Sequence, residues 1–174
     1  KLVLVAADGA RLEAVILRAG TGRTALCVSS QVGCAGGCVF CATGRQGWRR
    51  HLSAAEILDQ LVLANRLLAT EGRRVRNLVF MGMGEPLANE PALYAALETA
   101  RSDRGFYLAE RRLTVSTVGL PEAMVRCARR FPGVRLALSL HSARPAVRAR
   151  LMPWARRHSL PALREAVRQV AAIQ

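Results

Sequence analysis

Short apolar runs and stripes of helical period alternate along most of the chain. Leu2–Val5 and Leu12–Leu17 are apolar runs joined through Asp8-Gly9, the chemistry of a hairpin turn. Thr24–Ser29 reads as a further strand, and a glycine-rich loop after it holds Cys34, Gly36, Gly37, Cys38 and Cys41. A helix opens at Ser53, where Ser-Ala-Ala-Glu is a capping box. Ile57, Leu61, Ala64 and Leu68 then recur on one face, and Gly72 supplies the stop. Asn77–Met81 reads as a buried strand running into Gly82-Met83-Gly84-Glu85-Pro86. Asn89–Ala100 follows as a helix with Pro91 in its first turn. Leu113–Thr117 and Val134–Leu140 read as strands, and Pro121–Arg130 as the helix between them. Pro145–Leu151 and Ser159–Ala172 are helices, the second with Leu163, Ala166, Val167 and Val170 on one face.

Strand and helix in strict alternation predict a parallel sheet or a (β/α) barrel, whose chemistry gathers at the carboxyl ends of the strands. That rule selects the cysteine loop, Gly84-Glu85, Ser116-Thr117 and Ser139–His141. The 174 residues, 51% of them apolar, suffice for a core and exclude a disordered tail. No apolar run is long enough to span a bilayer and no signal-peptide layout opens the chain, so a cytoplasmic globular protein without membrane association is expected.

Charge and cysteine placement add the chemistry. The formal net charge is +14, nearly all of it arginine since Lys1 is the only lysine, and nucleic acid is the first partner such a field suggests. Membrane surface and simple solubility rank below it. Cys27, Cys34, Cys38 and Cys41 crowd one stretch while Cys127 stands alone, which suits a metal or catalytic cluster better than a disulfide framework. Three thiolates spaced as Cys34-x-x-x-Cys38-x-x-Cys41 suit three irons of a 4Fe–4S cluster, the fourth left for another ligand. Zinc, which wants a fourth ligand, and redox thiols stay open as alternatives.

These residues carry a resemblance. Cys34-x-x-x-Cys38-x-Phe40-Cys41 on the first loop of a β/α series is similar to the radical S-adenosylmethionine superfamily, as is Gly84-Glu85-Pro86 after the next strand. The match then narrows. Cys27-Val-Ser-Ser-Gln-Val-Gly-Cys34, Phe40-Cys41-Ala-Thr-Gly44 and Phe80-Met-Gly-Met-Gly-Glu-Pro86 resemble the RlmN/Cfr family of RNA adenosine methyltransferases. So do Val115-Ser-Thr-Val-Gly119, Ser139-Leu-His141 and Leu151-Met-Pro153. The motifs run in order from about Glu13 to Pro153, and Val32 before Gly33 is nearer the RlmN branch.

The resemblance implies a partial (β/α) barrel of the radical S-adenosylmethionine type over residues 24–174, preceded by a β-hairpin extension over residues 1–23. It implies a 4Fe–4S cluster on Cys34, Cys38 and Cys41, with S-adenosylmethionine held by Gly84, Glu85, Ser116, Ser139, Leu140 and His141. A methyl group carried on a cysteine near the family's C-terminus would lose hydrogen to the cofactor-derived radical. The methylene so formed would add to carbon 2 of adenine. Cys27 matches the cysteine that resolves the protein–RNA adduct, and Glu13 the proton acceptor. The implied substrate is an adenosine of 23S rRNA, with a tRNA anticodon-loop adenosine as a second. The implied electron donor is a protein such as flavodoxin, and the enzyme is expected as a monomer. No cysteine follows Cys127, so the chain is expected to be a central fragment. It would lack the methyl-carrying cysteine, an N-terminal RNA-binding domain and the last barrel units. Pro153-Trp154-Ala155 departs from the family's more usual Pro-Ile-Asn.

Position sorts the remaining residues. Arg73, Arg74, Arg111 and Arg112 precede strands and read as solvated. Arg45, Arg49 and Arg50 with Trp48 follow the cluster loop, and Arg144, Arg148 and Arg150 follow the last strand, where guanidinium groups suit phosphate and Trp48 suits stacking. Cys127, Met81 and Met83 read as core, His51 and His158 as surface. Two rivals stand beside the main reading: Cfr-like methylation at carbon 8 of adenine, and a zinc-stabilised RNA-binding module without catalysis.

Overall fold

Eight strands and six α-helices follow one another in the computed structural model, which describes residues 1–174. The strands are β1 (Leu2–Val5), β2 (Arg11–Arg18), β3 (Thr24–Cys27), β4 (Gln31–Gly33), β5 (Trp48–His51), β6 (Asn77–Phe80), β7 (Leu113–Thr117) and β8 (Arg135–Leu138). The helices are α1 (Ala42–Arg45), α2 (Ala54–Ala69), α3 (Glu90–Arg101), α4 (Pro121–Arg130), α5 (Pro145–Leu151) and α6 (Leu160–Ile173). Six strands make one open sheet in the order β1-β2-β3-β6-β7-β8. The last four run parallel, and the hairpin β1–β2 adds to the edge by antiparallel pairing of β2 with β3. The sheet does not close; β1 and β8 are its edges. No helix is long and apolar enough to cross a membrane.

The helices begin where side chains satisfy their free amides. Ser53 accepts from the Glu56 N–H while the Glu56 carboxylate accepts from the Ser53 N–H, the full capping box. Ser159 caps α6 through the Ala162 N–H, and α4 opens on Pro121, whose missing N–H costs nothing there. Their apolar stripes cover one face of the sheet, burying Leu26, Leu78, Phe80, Leu113 and Val115 in a single core. Cys127, on α4, sits in that core, and burial pushes its thiol up to about 12.

The expectation of a buried strand at Asn77–Met81 is corrected: the strand ends at Phe80 and is buried on one face only. Burial alternates along it, as it does along β3 and β7, and Met81 is half exposed rather than core. The reason is that helices cover one face of the sheet and no further strands close over the other. The register places Cys27 beside Val79, Val79 beside Thr114, and Ser116 beside Ala137 on the other face. Val134–Leu140 also shortens: pairing ends at Leu138, so Ser139–His141 leave the sheet at its rim.

A second sheet was not foreseen. β4 and β5 pair as a small antiparallel ribbon with an irregularity between Val32 and Gly33, enclosing the whole cysteine loop. What fixes this ribbon is a buried set of polar bonds at Ser29–Gln31. The Ser29 N–H donates to Gln60 Oε1 (2.8 Å) and Gln60 Nε2 donates back to the Ser29 carbonyl (2.9 Å). Asn89 Nδ2 donates to the carbonyls of Ser30 (2.9 Å) and Leu52 (2.8 Å). Ser29 Oγ accepts from the Met83 N–H, and the amides of Ser30 and Gln31 both donate to the Met83 carbonyl. Replacing Gln60 by leucine keeps the helix but strands both polar groups of Ser29 in the core. Gln60→Leu is therefore expected to lower unfolding free energy by about 2–4 kcal/mol in urea denaturation, whereas Leu63→Ala on the exposed side of α2 should cost far less.

Candidate active site at the strand ends

The cysteine loop is held at both ends by the β4–β5 ribbon. Cys34 N–H donates to the Gly47 carbonyl at 2.9 Å, and Cys41 is the N-cap of the single-turn α1. Inside the loop the Gly36 N–H donates to Cys34 Sγ at 3.3 Å. A Cβ on Gly36 would stand 3.3 Å from that sulfur and 3.8 Å from Cys38 Sγ, so the glycine leaves room between two thiols. All five cysteines are free. Burial pushes the Cys34 and Cys38 thiols up, and each also feels negative charge from its neighbouring cysteines. No three His, Cys, Asp or Glu side chains are gathered closely enough to hold a single metal ion. Three thiols on one glycine-containing loop suit a cluster, whose thiolates sit on different irons, whereas a structural zinc wants a fourth protein ligand.

The next strand end carries Gly84 and Glu85. Gly84 has φ +100°, and a Cβ there would lie 2.6 Å from Cβ of Gln31, so the residue is glycine on both counts. Gln31 Oε1 accepts the Glu85 N–H at 2.8 Å, and Gln31 Nε2 lies 3.0 Å from His51 Nδ1. The Glu85 carboxylate is only 2% exposed. It accepts the N–H of Leu87 (3.1 Å) and of Val118 (2.8 Å), tying the ends of β6 and β7 together. The Thr117 side chain is a further partner, and since a carboxylate accepts about four hydrogen bonds, acceptor capacity remains for a ligand ammonium. Burial pushes its pKa up to about 7.

The last two strand ends meet the cysteine loop. Ser116 Oγ and Ser139 Oγ are 3.3 Å apart, and the Ser139 N–H donates to the Thr117 carbonyl. Leu140 is exposed. His141 follows with φ +56° and its ring 4.3 Å from that of Phe40, centroid to centroid. The fourth strand end therefore touches the residue before Cys41. Cys27 is half-buried on the sheet face away from the helices, and burial raises its thiol. Glu13 lies two residues along β2 from Val15, the partner of Cys27, and so on the same face. It is exposed and ion-paired with Lys1 at 2.8 Å.

The arginines divide differently from the sequence expectation. Arg45, Arg49, Arg144 and Arg150 are exposed, and Trp48 is half exposed with its ring edge-on to His51. Arg50 is committed elsewhere: its guanidinium bridges Asp8 (2.7 and 2.9 Å) and Glu56 (2.9 and 2.8 Å), holding the hairpin turn against α2. This bridge holds the Asp8 carboxyl at about 2. Arg148 is buried and donates through Nη2 to the Val118 carbonyl, so it offers nothing to an external phosphate. His158 is half-buried rather than at the surface. Sequence reasoning missed Gln31, Gln60 and Asn89. The available signal was a polar residue on the apolar stripe of α2, where Gln60 follows Ile57 by three.

The raised Glu85 pKa gives a signed pH dependence. Between the ordinary glutamate value near 4.5 and about 7 the folded state holds a proton that the unfolded state has lost. Stability is therefore expected to fall as pH rises through that window and to level off above it, by up to about 3 kcal/mol. The lowered Asp8 and Glu56 act with the opposite sign at more acid pH, below the window. Denaturant unfolding between pH 4.5 and 8 should show the decline, and Glu85→Gln should flatten it.

Comparison with known proteins places this geometry. A sequence profile of the Radical SAM superfamily matches residues 28–173. A Rhodopirellula baltica protein, named a probable RNA methyltransferase, is 48% identical over all of this chain and 46% of its own length. The dual-specificity RNA methyltransferase RlmN of Syntrophobacter fumaroxidans is 47% identical over 93% of this chain and 46% of its own. The crystal structure of a radical SAM methyltransferase from Sphaerobacter thermophilus superposes with a TM-score of 0.94 at 40% identity. It covers 98% of this chain and 50% of its own. The chain thus spans about half the length of the relatives it matches. With the profile covering the cysteine loop and every β/α unit after it, the chain belongs to the radical S-adenosylmethionine superfamily.

Proposed function

We propose that this chain forms the cluster- and cofactor-binding part of an RlmN-type RNA adenine methyltransferase. Superfamily membership implies a 4Fe–4S cluster and S-adenosylmethionine as cofactors. The observation that carries the finer reading is that one rim gathers the cysteine loop, Glu85, the Ser116–Ser139 pair and the Phe40–His141 contact, while Cys27 and Glu13 share one face of the sheet beside it. When bound, the cluster supplies one-electron chemistry toward S-adenosylmethionine, the kind of route an unactivated adenine carbon requires.

In this reading Cys34, Cys38 and Cys41 hold the cluster. Glu85, already fixed by two amides, turns its remaining lone pairs to the cofactor's ammonium, with Gly84 keeping the approach open. Ser116, Ser139, Leu140 and His141 line the rest of the cofactor's site. Cys27 resolves the protein–RNA adduct, and Glu13, whose Oε2 is not engaged by Lys1, accepts the proton lost from adenine. None of the five cysteines is placed to carry the methyl group, Cys127 being sealed in the core. The mechanism therefore needs one further cysteine outside these 174 residues. The substrate is an adenosine of 23S rRNA, and of tRNA, modified at carbon 2 in the cytoplasm, with electrons from a flavodoxin-class donor. The target base must leave its stack to reach the rim. Names borne by relatives support RNA as the substrate: RlmN of Syntrophobacter fumaroxidans is named a dual-specificity RNA methyltransferase.

Anaerobic reconstitution with iron and sulfide should load about four irons per chain and give a brown protein absorbing broadly at about 400 nm. Alanine at Cys34, Cys38 or Cys41 should abolish this, and Cys27→Ala should leave it intact. Stoichiometric zinc without iron uptake would overturn the reading in favour of a zinc-stabilised module. Mass spectrometry of nucleosides from treated RNA then separates 2-methyladenosine from the 8-methyl product of a Cfr-like enzyme.

The arginines give a second test. Arg49→Glu should weaken RNA binding and reduce the salt slope by about one. Arg50→Glu should instead lower the unfolding temperature, because it breaks the bridge between Asp8 and Glu56. Filter binding across a salt series, beside thermal unfolding, separates the two; an unchanged RNA affinity for Arg49→Glu would remove that residue from the RNA surface.

A further inference from the structure

Arg148 is the largest fully buried side chain in the protein, 2% exposed, on a helix of only seven residues. A buried guanidinium ordinarily meets a carboxylate. This one meets none: Nη2 donates to the Val118 carbonyl, while Nε and Nη1 have no hydrogen-bond partner at all. Three N–H donors and a positive charge are thus held out of water with nothing to balance them, an arrangement that costs a folded protein unless an anion completes it.

The surroundings say where that anion belongs. α5 lies directly against the cysteine loop. The Val39 N–H donates to the Leu151 carbonyl at 3.0 Å, and a Cβ on Gly37 would touch Pro153 at 3.6 Å. These two contacts bracket Cys38, and Leu151 follows Arg148 by one turn of α5, so the buried guanidinium belongs to the helix seated on that part of the loop. The exposed arginines of the same region, Arg144 and Arg150, have water to solvate them; Arg148 does not.

We infer that Arg148 is the internal counterion of the iron–sulfur cluster, a positioning residue whose unpaired donors face the Cys38 side of the loop and balance the charge of the three thiolates. This rests on the cluster reading given above. A 4Fe–4S core held by three thiolates is anionic when oxidised and gains one more negative charge on reduction. The added electron comes from an external low-potential donor and stays on the cluster, and Arg148 neither gains nor loses a proton. A fixed cation favours the more negative state, so it raises the reduction potential and slows loss of iron.

The test compares wild type, Arg148→Met, Arg148→Gln and Arg148→Lys in three readouts. These are thermal unfolding of the metal-free protein, the rate of iron loss to a chelator, and the fraction of cluster reduced at one fixed poise by electron paramagnetic resonance. Arg148→Met removes an unbalanced cation from the metal-free protein, so its unfolding temperature should equal or exceed that of wild type. Once loaded, it should lose iron at least fivefold faster and show at least a fivefold lower ratio of reduced to oxidised cluster. Arg148→Lys should recover most of both. Arg148→Gln, which keeps a donor for the Val118 carbonyl, should follow Arg148→Met in the loaded protein and carries the test if Arg148→Met does not fold. A strut that only holds Val118 behaves oppositely: the metal-free variants unfold earlier, while iron loss and reduction stay within twofold of wild type. That result overturns the inference. Wild-type protein that takes up no iron overturns the cluster reading itself, and this inference with it.

Discussion

A chain that leaves a sheet inside the protein must find new partners for every peptide group it carries away, and the stretch Val28–Gln31 does so completely. Val28 N–H stays on the Val79 carbonyl while its own carbonyl takes the Gly82 N–H; Ser29 is bonded on both sides by Gln60; Ser30 and Gln31 share the Met83 carbonyl; and Asn89 closes the Ser30 carbonyl. Each bond left unmade here would cost roughly 1–3 kcal/mol. Satisfaction of this segment is what joins β3, α2, the end of β6 and the start of α3 into one unit. The cysteine loop grows from its far end. Its position is therefore inherited from buried amide bonds that themselves touch no cofactor.

The two buried ionisable groups near the rim repeat the idea with charge. Glu85 takes the N–H of Val118, and Arg148 gives to the carbonyl of the same residue. The turn after β7 is thus gripped from both directions by groups of opposite sign that do not pair with each other. Each keeps unused hydrogen-bonding capacity, Glu85 as an acceptor and Arg148 as a donor. Binding sites often retain such capacity because a fully paired group has nothing left to offer a ligand. The surface charge is a separate matter. Arg50, Arg101, Arg126 and Arg130 are drawn into ion pairs, and only exposed, unpaired arginines such as Arg49 remain to attract a polyanion.

Local rules made most of the elements legible in the sequence. The capping box at Ser53, Pro121 at the start of α4 and the alternation of strand and helix act within a few residues of themselves, so they survive any tertiary arrangement. What stayed hidden was decided by distant partners. Trp48–His51 has no strand pattern of its own and becomes β5 because Gln31–Gly33 lies opposite it. Gln60 sits within the apolar stripe of α2, and its amide is needed because Ser29 lies beneath it, 31 residues away. Arg148 belonged by position with the exposed arginines around it. Its burial follows from the seating of α5 under the cysteine loop, which no spacing reveals. Glu85 was legible as a residue of the rim, but its bond to Val118 depends on how the ends of β6 and β7 come together.

His141 shows how these levels meet. A non-glycine residue at φ +56° costs on the order of 1 kcal/mol or more, and persists only where its surroundings over-determine it. Here the turn is set on one side by the Ser139 amide on the Thr117 carbonyl. On the other the ring lies against Phe40. Phe40 immediately precedes Cys41, so relaxing the backbone at His141 would withdraw the ring from the cysteine loop. The strain is thus a consequence of joining the end of β8 to a loop that begins more than a hundred residues earlier. In an open sheet, with β1 and β8 unpaired at its edges, that aromatic contact links the loop that follows β3 to the end of β8 across the rim, where hydrogen bonding between strands does not.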